Sequence, residues 1–187
     1  MLEELWDWII VRFQKFAKVK SNKQKDSHLD MNNYDLFWLI RKWEGFRDTA
    51  YPDPATGGKP FTIGFGSTFY PDGSSVKEGD TITKQEAENL LAWYCVTQIT
   101  LPKGTFNPKQ KMALYSIYYN VGNSFSKSKC CKAIERQEWE IAFKEWDWDK
   151  VNGKVIKGLA NRRKEERLLF FDGLVDVDLL EEKYFGD

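Results

Sequence analysis

The N-terminal hydrophobic pattern is that of an amphipathic helix. Within residues 2–17, apolar side chains recur at three- and four-residue steps and form one stripe; they are Leu2, Leu5, Trp6, Ile9, Phe13 and Phe16. Acidic residues come first along this segment and basic residues last, an order that suits the helix dipole. A polar stretch follows, so we predict a helix with its linker in residues 1–30 and a separate domain in residues 31–187.

Helix signals recur through the rest of the chain, with one interruption. A second helix should run from about Asn33 to Glu44, because Gly45 follows in the usual C-terminal position. A capping box at Thr83 and an Asn-Pro pair at Asn107 begin the next two helices. The Asn107 helix should end within 120–124, one or two short helices should lie within 132–148, and a last helix should span 158–171, before an acidic tail.

The interruption, residues 45–82, has the pattern of a small β-rich lobe. Residues 61–70 are rich in aromatic side chains typical of a strand, and Pro-Asp-Gly-Ser-Ser at 71–75 offers a turn before a short return strand. A helix, a β-hairpin and then many helices is the element order of an α+β fold.

Composition excludes several classes of protein. The 187 residues carry 28 basic and 28 acidic side chains, so no overall positive charge indicates a nucleic-acid partner. The single histidine, His28, cannot supply a zinc site with two or three histidine ligands, and it lies in the polar linker, which disfavours a His-dependent nucleophile. Three cysteines without CxxC spacing indicate neither zinc nor a disulfide framework. We expect no metal and no other cofactor.

Two carboxylates flank the start of the β-rich lobe. Glu44 lies in the last turn of a helix, where the helix dipole and its apolar neighbours Trp43 and Phe46 favour a protonated acid. Asp53 lies in a turn rich in proline and glycine, where solvent favours the ionised form. Such a pair suits the proton donor and the water-activating base of sugar hydrolysis, although either residue is also common in purely structural positions.

The order of the motifs resembles the phage-type lysozymes of glycoside hydrolase family 24, the T-even and lambdoid endolysin group. The family pattern of Glu-Gly, Ala-Tyr-x-Asp and Thr-Ile-Gly-x-Gly matches residues 43–68. Residues 110–128 are similar to the family's helix that ends in Asn-Val-Gly, and residues 153–170 to its closing Gly-Leu-x-x-Arg-Arg-x-x-Glu helix. The resemblance therefore covers residues 33–172 in family order.

The resemblance implies a lysozyme-like fold with a small β-hairpin lobe and a larger helical lobe joined by a helix. It implies that Glu44 is the general acid, and that Asp53 and Thr62 hold the attacking water. The residues that match groove or glycan-contacting positions of the family are Tyr119, Asn120 and Ser128, and Arg162 matches a position that can pair with the catalytic glutamate. Helix-end and cap roles for the three groove residues stay open.

Two positions depart from the family pattern. Residues 56–60, Thr-Gly-Gly-Lys-Pro, lengthen the turn between Asp53 and Thr62, which changes the setting of the Asp–Thr pair. Ser67 follows Gly-x-Gly where the family commonly has histidine. Serine can donate a hydrogen bond there but carries no charge.

The functional expectation is a monomeric endolysin that cuts the β-1,4 bond between N-acetylmuramic acid and N-acetylglucosamine in peptidoglycan. The N-terminus has no signal-peptide pattern, so we expect the enzyme in the host cytoplasm until lysis and then at the periplasm and cell wall. Two alternatives stay open: a virion-associated lysozyme docked through its N-terminal helix, and a non-catalytic glycan-binding module. The apolar stripe of residues 2–16 packs on its own domain, on a protein partner or on a membrane surface.

Overall fold

The computed structural model describes residues 35–53 and 57–186. The predicted N-terminal helix, its linker and the boundary at residue 30 lie outside this part of the chain and stay predictions. Within the described ranges the elements are α1 (Trp38–Glu44), β1 (Arg47–Pro52), β2 (Phe61–Gly64), α2 (Lys84–Gln98), α3 (Pro108–Val121), a 3₁₀ turn (Gly122–Ser124), α4 (Lys129–Glu135), α5 (Trp139–Lys144), β3 (Lys150–Val151), β4 (Lys154–Val155), α6 (Lys157–Phe170) and α7 (Val177–Phe185). This order confirms the α+β class.

Local signals place most helix ends as predicted. Thr83 and Asn107 each form a complete capping box: the cap side chain accepts from the N–H of the third helical residue, and the side chain of that residue accepts from the cap N–H. Gly45 ends α1 with φ 69°, and its N–H donates to the Arg41 carbonyl. Glycine adopts this left-handed conformation without steric cost, so the chain can turn sharply right after Glu44.

The predicted start of the second helix is wrong. Residues 35–37 were expected to be helical, but α1 begins only at Trp38. The Asp35 carboxylate accepts from the Phe37 N–H at 3.3 Å, and the Asp35 carbonyl accepts from the Trp38 N–H at 3.0 Å. A short acidic side chain that accepts from the N–H two residues later stabilises a turn in place of a helix.

The β-rich lobe contains less regular strand than predicted. β1 and β2 form an antiparallel pair with Tyr51 opposite Thr62, but β2 ends at Gly64, and the return strand is reduced to an isolated bridge between Phe69 and Ser75. Gly64 accounts for the early end, since it has φ 65° and a β-carbon there would lie 2.9 Å from that of Ala87 on α2.

Two elements were absent from the sequence-based prediction. Residues 177–185, predicted as an acidic tail, form α7, which Asp176 caps by accepting from the Leu179 N–H at 3.1 Å and which buries Leu180. The β3–β4 hairpin turns at Asn152 and Gly153, both with positive φ. Asn-Gly is a strong hairpin signal.

Two cores support the site. The larger core fills the helical lobe and is dominated by aromatic rings, among them Phe125, Trp146 and Phe170. The smaller core lies between α1, α2 and the β-rich lobe, around Ile40 and Leu91. Both α1 and α6 pack against α3. The end of α1 therefore lies beside the middle of α6, although the two are more than a hundred residues apart in the chain. Among the described residues there is no helix long and apolar enough to span a bilayer.

Candidate active site

Glu44 is the last residue of α1, and its side chain is 24% exposed. Its Oε1 accepts a hydrogen bond from Arg162 Nη1 at 2.6 Å. The contact that the family resemblance allowed is therefore present in this structure. Partial exposure leaves the carboxyl group accessible from solvent, and the buried arginine fixes one of its two oxygens.

Asp53 and Thr62 lie near the turn of the β1–β2 hairpin, which follows α1 in the chain. Thr62 is opposite Tyr51 in the antiparallel register, so it sits on the strand facing the residues that lead into Asp53. The Asp53 N–H donates to the carbonyls of Gly58 and Pro60 at 3.0 and 3.2 Å. These backbone bonds hold Asp53 close to Gly58 and Pro60 in the lengthened turn.

Tyr119 borders the same region from α3. Its hydroxyl donates to the Phe65 carbonyl at 2.9 Å, and the Ser67 side chain also forms a hydrogen bond with it. A β-carbon at Gly66 would lie 3.6 Å from the Tyr119 hydroxyl and 3.7 Å from Glu44 Oε2, so the turn passes closely between the two groups. Burial raises the pKa of Tyr119, the Ser67 hydrogen bond lowers it, and the charge of Glu44 raises it further.

The other two groove positions have different surroundings. Asn120 is exposed near the end of α3. The Ser128 hydroxyl donates to the Phe125 carbonyl at 2.6 Å and accepts from the Cys131 N–H at 3.0 Å, so Ser128 is the N-cap of α4. The structure thus supports the cap role for Ser128, and contact of either residue with a glycan stays a prediction.

A buried polar cluster, missed by the sequence reasoning, lies behind Arg162. Glu166 is fully buried and accepts hydrogen bonds from Ser116, Trp146 and Arg163. Glu166 belongs to the closing Arg-Arg-x-x-Glu motif, but that motif alone assigned it no task. The available signal was its position four residues after Arg162, the spacing at which opposite charges pair on a helix.

The cysteines offer no nucleophile. Cys95, Cys130 and Cys131 are free and buried, and burial raises the pKa of each thiol. A catalytic cysteine needs the opposite effect, because the thiolate is the reactive form. Within residues 35–53 and 57–186, no group of three or more His, Cys, Asp or Glu side chains could hold a metal ion.

Comparisons with known sequences and structures identify proteins that are similar to this chain. The sequence model of the phage lysozyme family matches residues 41–166. The endolysin of Bacillus phage PZA is 34% identical over 142 residues, which are 72% of this chain and 53% of that protein. The chain thus spans about half the length of the Bacillus phage relatives that it matches.

Solved structures share the fold. The endolysin from Escherichia coli O157:H7 phage FAHEc1 superposes with a TM-score of 0.62 at 26% identity, covering 80% of this chain and 98% of that one. The muramidase domain of SpmX from Asticaccaulis excentricus superposes with a TM-score of 0.59 at 26% identity, covering 79% and 98%. The predicted lysozyme-like fold is thereby confirmed.

Proposed function

Because this chain belongs to the phage lysozyme family, we propose that it is an endolysin that hydrolyses the β-1,4 bond between N-acetylmuramic acid and N-acetylglucosamine in peptidoglycan. The observation that carries the proposal is Glu44 itself. It is a half-buried carboxyl group at the end of α1, hydrogen-bonded through one oxygen to Arg162 and bordered by the Gly66 turn and Tyr119. A proton donor to a sugar oxygen needs such a combination of access and fixed orientation.

The proposed reaction uses two carboxyl groups and one water molecule. Glu44 donates its proton to the glycosidic oxygen as the bond to the anomeric carbon breaks. A water molecule attacks that carbon from the far face of the sugar, and Asp53 takes its proton. The Thr62 hydroxyl holds the water in line. Once Glu44 is ionised, Arg162 pairs with the new charge.

Groove contacts complete the proposal. Tyr119 presents its ring beside Glu44, and exposed Asn120 offers an amide that can bind sugar hydroxyl or acetamido groups. The Ser128 hydroxyl already makes two hydrogen bonds within the protein, so Ser128 acts on the glycan chiefly by positioning α4. Arg162 acts through Glu44. We propose that the enzyme works as a monomer and without a cofactor.

The endolysin role is favoured over the alternatives. Glu44, Asp53 and Thr62 are all present, which argues against a non-catalytic glycan-binding module. The Bacillus phage relative is described as an endolysin, which favours host lysis over a virion-associated role. We propose that the protein reaches the cell wall from the host cytoplasm through a membrane lesion. A membrane surface or protein partner for residues 1–30 remains an alternative to packing on the catalytic domain.

Product analysis on purified peptidoglycan tests the chemistry. Wild-type protein should release new reducing sugar ends and no new free amino groups, because a carboxylate pair cleaves the glycosidic bond and not the stem peptide. The same digest with EDTA should proceed at the same rate. Intact glycan strands with released stem peptides, or a loss of activity restored by zinc, would identify an amidase or peptidase instead.

A further inference from the structure

The buried carboxylate of Glu166 lies one helical turn after Arg162 on α6. Its side chain is 0% exposed, and four different groups donate to it. The donors are Ser116 Oγ at 2.6 Å, Arg163 Nη2 at 2.8 Å, Trp146 Nε1 at 3.0 Å and Arg162 Nε at 3.3 Å. A buried carboxylate is stable only when its oxygens are bonded in this way, so these groups form one rigid cluster.

This cluster determines where Arg162 points. Arg162 Nε donates to Ser116 Oγ at 3.2 Å and to Glu166 Oε1 at 3.3 Å, and Nη2 donates to the Ser116 carbonyl at 3.1 Å. Because the guanidinium group is planar, fixing Nε and Nη2 also fixes the direction of Nη1. That third nitrogen meets Glu44 Oε1 at 2.6 Å.

We propose that Glu166 is a positioning residue, which acts through Ser116 and Arg162 to hold the carboxyl group of Glu44 in its reactive orientation. The inference rests on the proposed function, since it extends the role of Glu44 as proton donor. Glu166 is fully buried, and Arg162, one of its donors, also contacts Glu44, so we expect its effect on turnover to pass through Arg162.

The charges of the cluster explain why a carboxylate is needed there. Arg162 and Arg163 are adjacent and both buried, and Glu166 contacts both. Burial lowers the pKa of Arg163, and the charge of Glu166 opposes that effect. Nε and Nη1 of Arg163 have no hydrogen-bond partner among the described residues, so this guanidinium depends strongly on Glu166. We therefore expect the loss of that charge to weaken the hold on Arg162, because the adjacent guanidinium groups of Arg162 and Arg163 repel each other.

The first test compares three variants on purified peptidoglycan. Glu166→Gln removes the charge at nearly constant shape, and Ser116→Ala removes the hydroxyl between Glu166 and Arg162 while every charge is kept. Glu181→Gln is the matched control. Glu181 lies on α7 and also accepts from an arginine of α6, in this case Arg167. Loss of alignment should lower kcat about tenfold or more in the first two variants with KM within about twofold. The control should keep its kcat per folded molecule.

A double-variant cycle separates positioning from general damage. In an Arg162→Met background, Glu166→Gln should lower kcat by less than about twofold further, because residues acting through one another are not additive. Near-ultraviolet circular dichroism gives the folded fraction of each protein. If Glu166→Gln does not fold, Ser116→Ala alone decides: an unchanged kcat would overturn the proposal, as would fully additive effects in the cycle.

A measurement independent of turnover distinguishes this inference from the proposed function. The Arg162 Nε–H proton should exchange slowly with solvent in wild-type protein, by nuclear magnetic resonance, and at least about tenfold faster in Ser116→Ala or Glu166→Gln. If wild-type protein releases no reducing ends, the proposed function fails, but this exchange rate still tests whether the cluster holds Arg162. Unchanged exchange in a folded Glu166→Gln protein would overturn the positioning role.

Discussion

Two arginines of α6, Arg162 and Arg167, each pair with a glutamate on another helix, but the two pairs differ in geometry and exposure. Arg162 joins Glu44 by one hydrogen bond from Nη1, with side-chain exposures of 4% and 24%. Arg167 joins Glu181 by two, from Nε at 2.5 Å and Nη2 at 2.9 Å, with exposures of 4% and 13%. The first pair links distant parts of the chain at the candidate site, and the second fastens α7 to the helical lobe.

The contacts around the Arg167–Glu181 pair hold Arg167 in place within the helical lobe. Arg167 Nη1 donates to the Trp146 carbonyl at 2.8 Å, and the guanidinium group lies 3.7 Å from the centre of the Phe185 ring. Arg167 thus combines hydrogen bonds from three of its nitrogens with contact to an aromatic ring. Arg162 instead contacts Glu44 through a single oxygen of a carboxyl group that solvent can reach. An ion pair that leaves one partner accessible is suited to chemistry, whereas a bidentate pair fixes the relative geometry of both partners.

The largest expected difference between the Arg162–Glu44 and Arg167–Glu181 pairs is in enzymatic activity. Glu44→Gln should lower turnover about a hundredfold or more, because the amide cannot donate the proton that the leaving oxygen needs, and it should change the free energy of unfolding by less than about 1 kcal/mol. Turbidity loss of outer-membrane-stripped cells measures the activity, with Glu181→Gln beside it as the folded control. More than about a tenth of wild-type activity in Glu44→Gln would refute its role as general acid.

Removing the arginine of the structural pair should have the largest effect on stability. Arg167→Met leaves Glu181 half-buried without its partner, at a cost of about 3–5 kcal/mol. For a chain of this size the melting temperature should fall by roughly 6–20 °C. Differential scanning calorimetry checks the shift, and turnover per folded molecule should stay at the wild-type level. A melting temperature within about 2 °C of wild type would show that the pair contributes little.

Neutralising the acid of that pair should cost less. Glu181→Gln keeps one oxygen that can accept from Arg167, so we expect a loss of about 2 kcal/mol, measured by denaturant unfolding. The neighbouring Glu182→Gln is the matched control, because Glu182 is exposed on the same helix and its change should be below about 0.5 kcal/mol. Equal losses in the two variants would mean that the helix, and not the ion pair, is the sensitive feature.

The smallest effect is expected at a surface pair. Glu140 accepts from Lys183 Nζ at 2.7 Å and from the Tyr184 hydroxyl at 2.6 Å. The hydrogen bond from Lys183 lowers the pKa of Glu140 most, and the one from Tyr184 lowers it further. A lowered folded-state pKa means that any stabilisation is present above the unfolded value and is lost as the pH falls through the folded one.

Exposed pairs contribute little, so Glu140→Gln should have the melting temperature of wild-type protein at neutral pH. Any small difference should disappear on acidification and in high salt. A difference that grows as the pH falls would have the wrong sign for this pair and would assign the effect to another group. Melting curves at neutral and acidic pH make this comparison.

Local chemistry was readable from the sequence because it depends on near neighbours. Thr83 and Asn107 cap the helices that they were expected to cap, and Gly45 ends α1 just after Glu44. The α+β order and the ordered family motifs follow from the same kind of local pattern. The misses had local signals too: Asp176 before α7 and Asn152-Gly153 in the second hairpin are recognised start and turn signals.

Long-range packing decided which of these residues meet. Glu44 and Arg162 are 118 positions apart, and Ser116 and Glu166 are 50 apart. Sequence could place Glu44 at a helix end and allow a contact with Arg162, but it could not establish that contact or reveal the cluster behind it. Those contacts exist because α1 and α6 both pack against α3, and the stability of buried charges depends on partners that only the folded chain assembles.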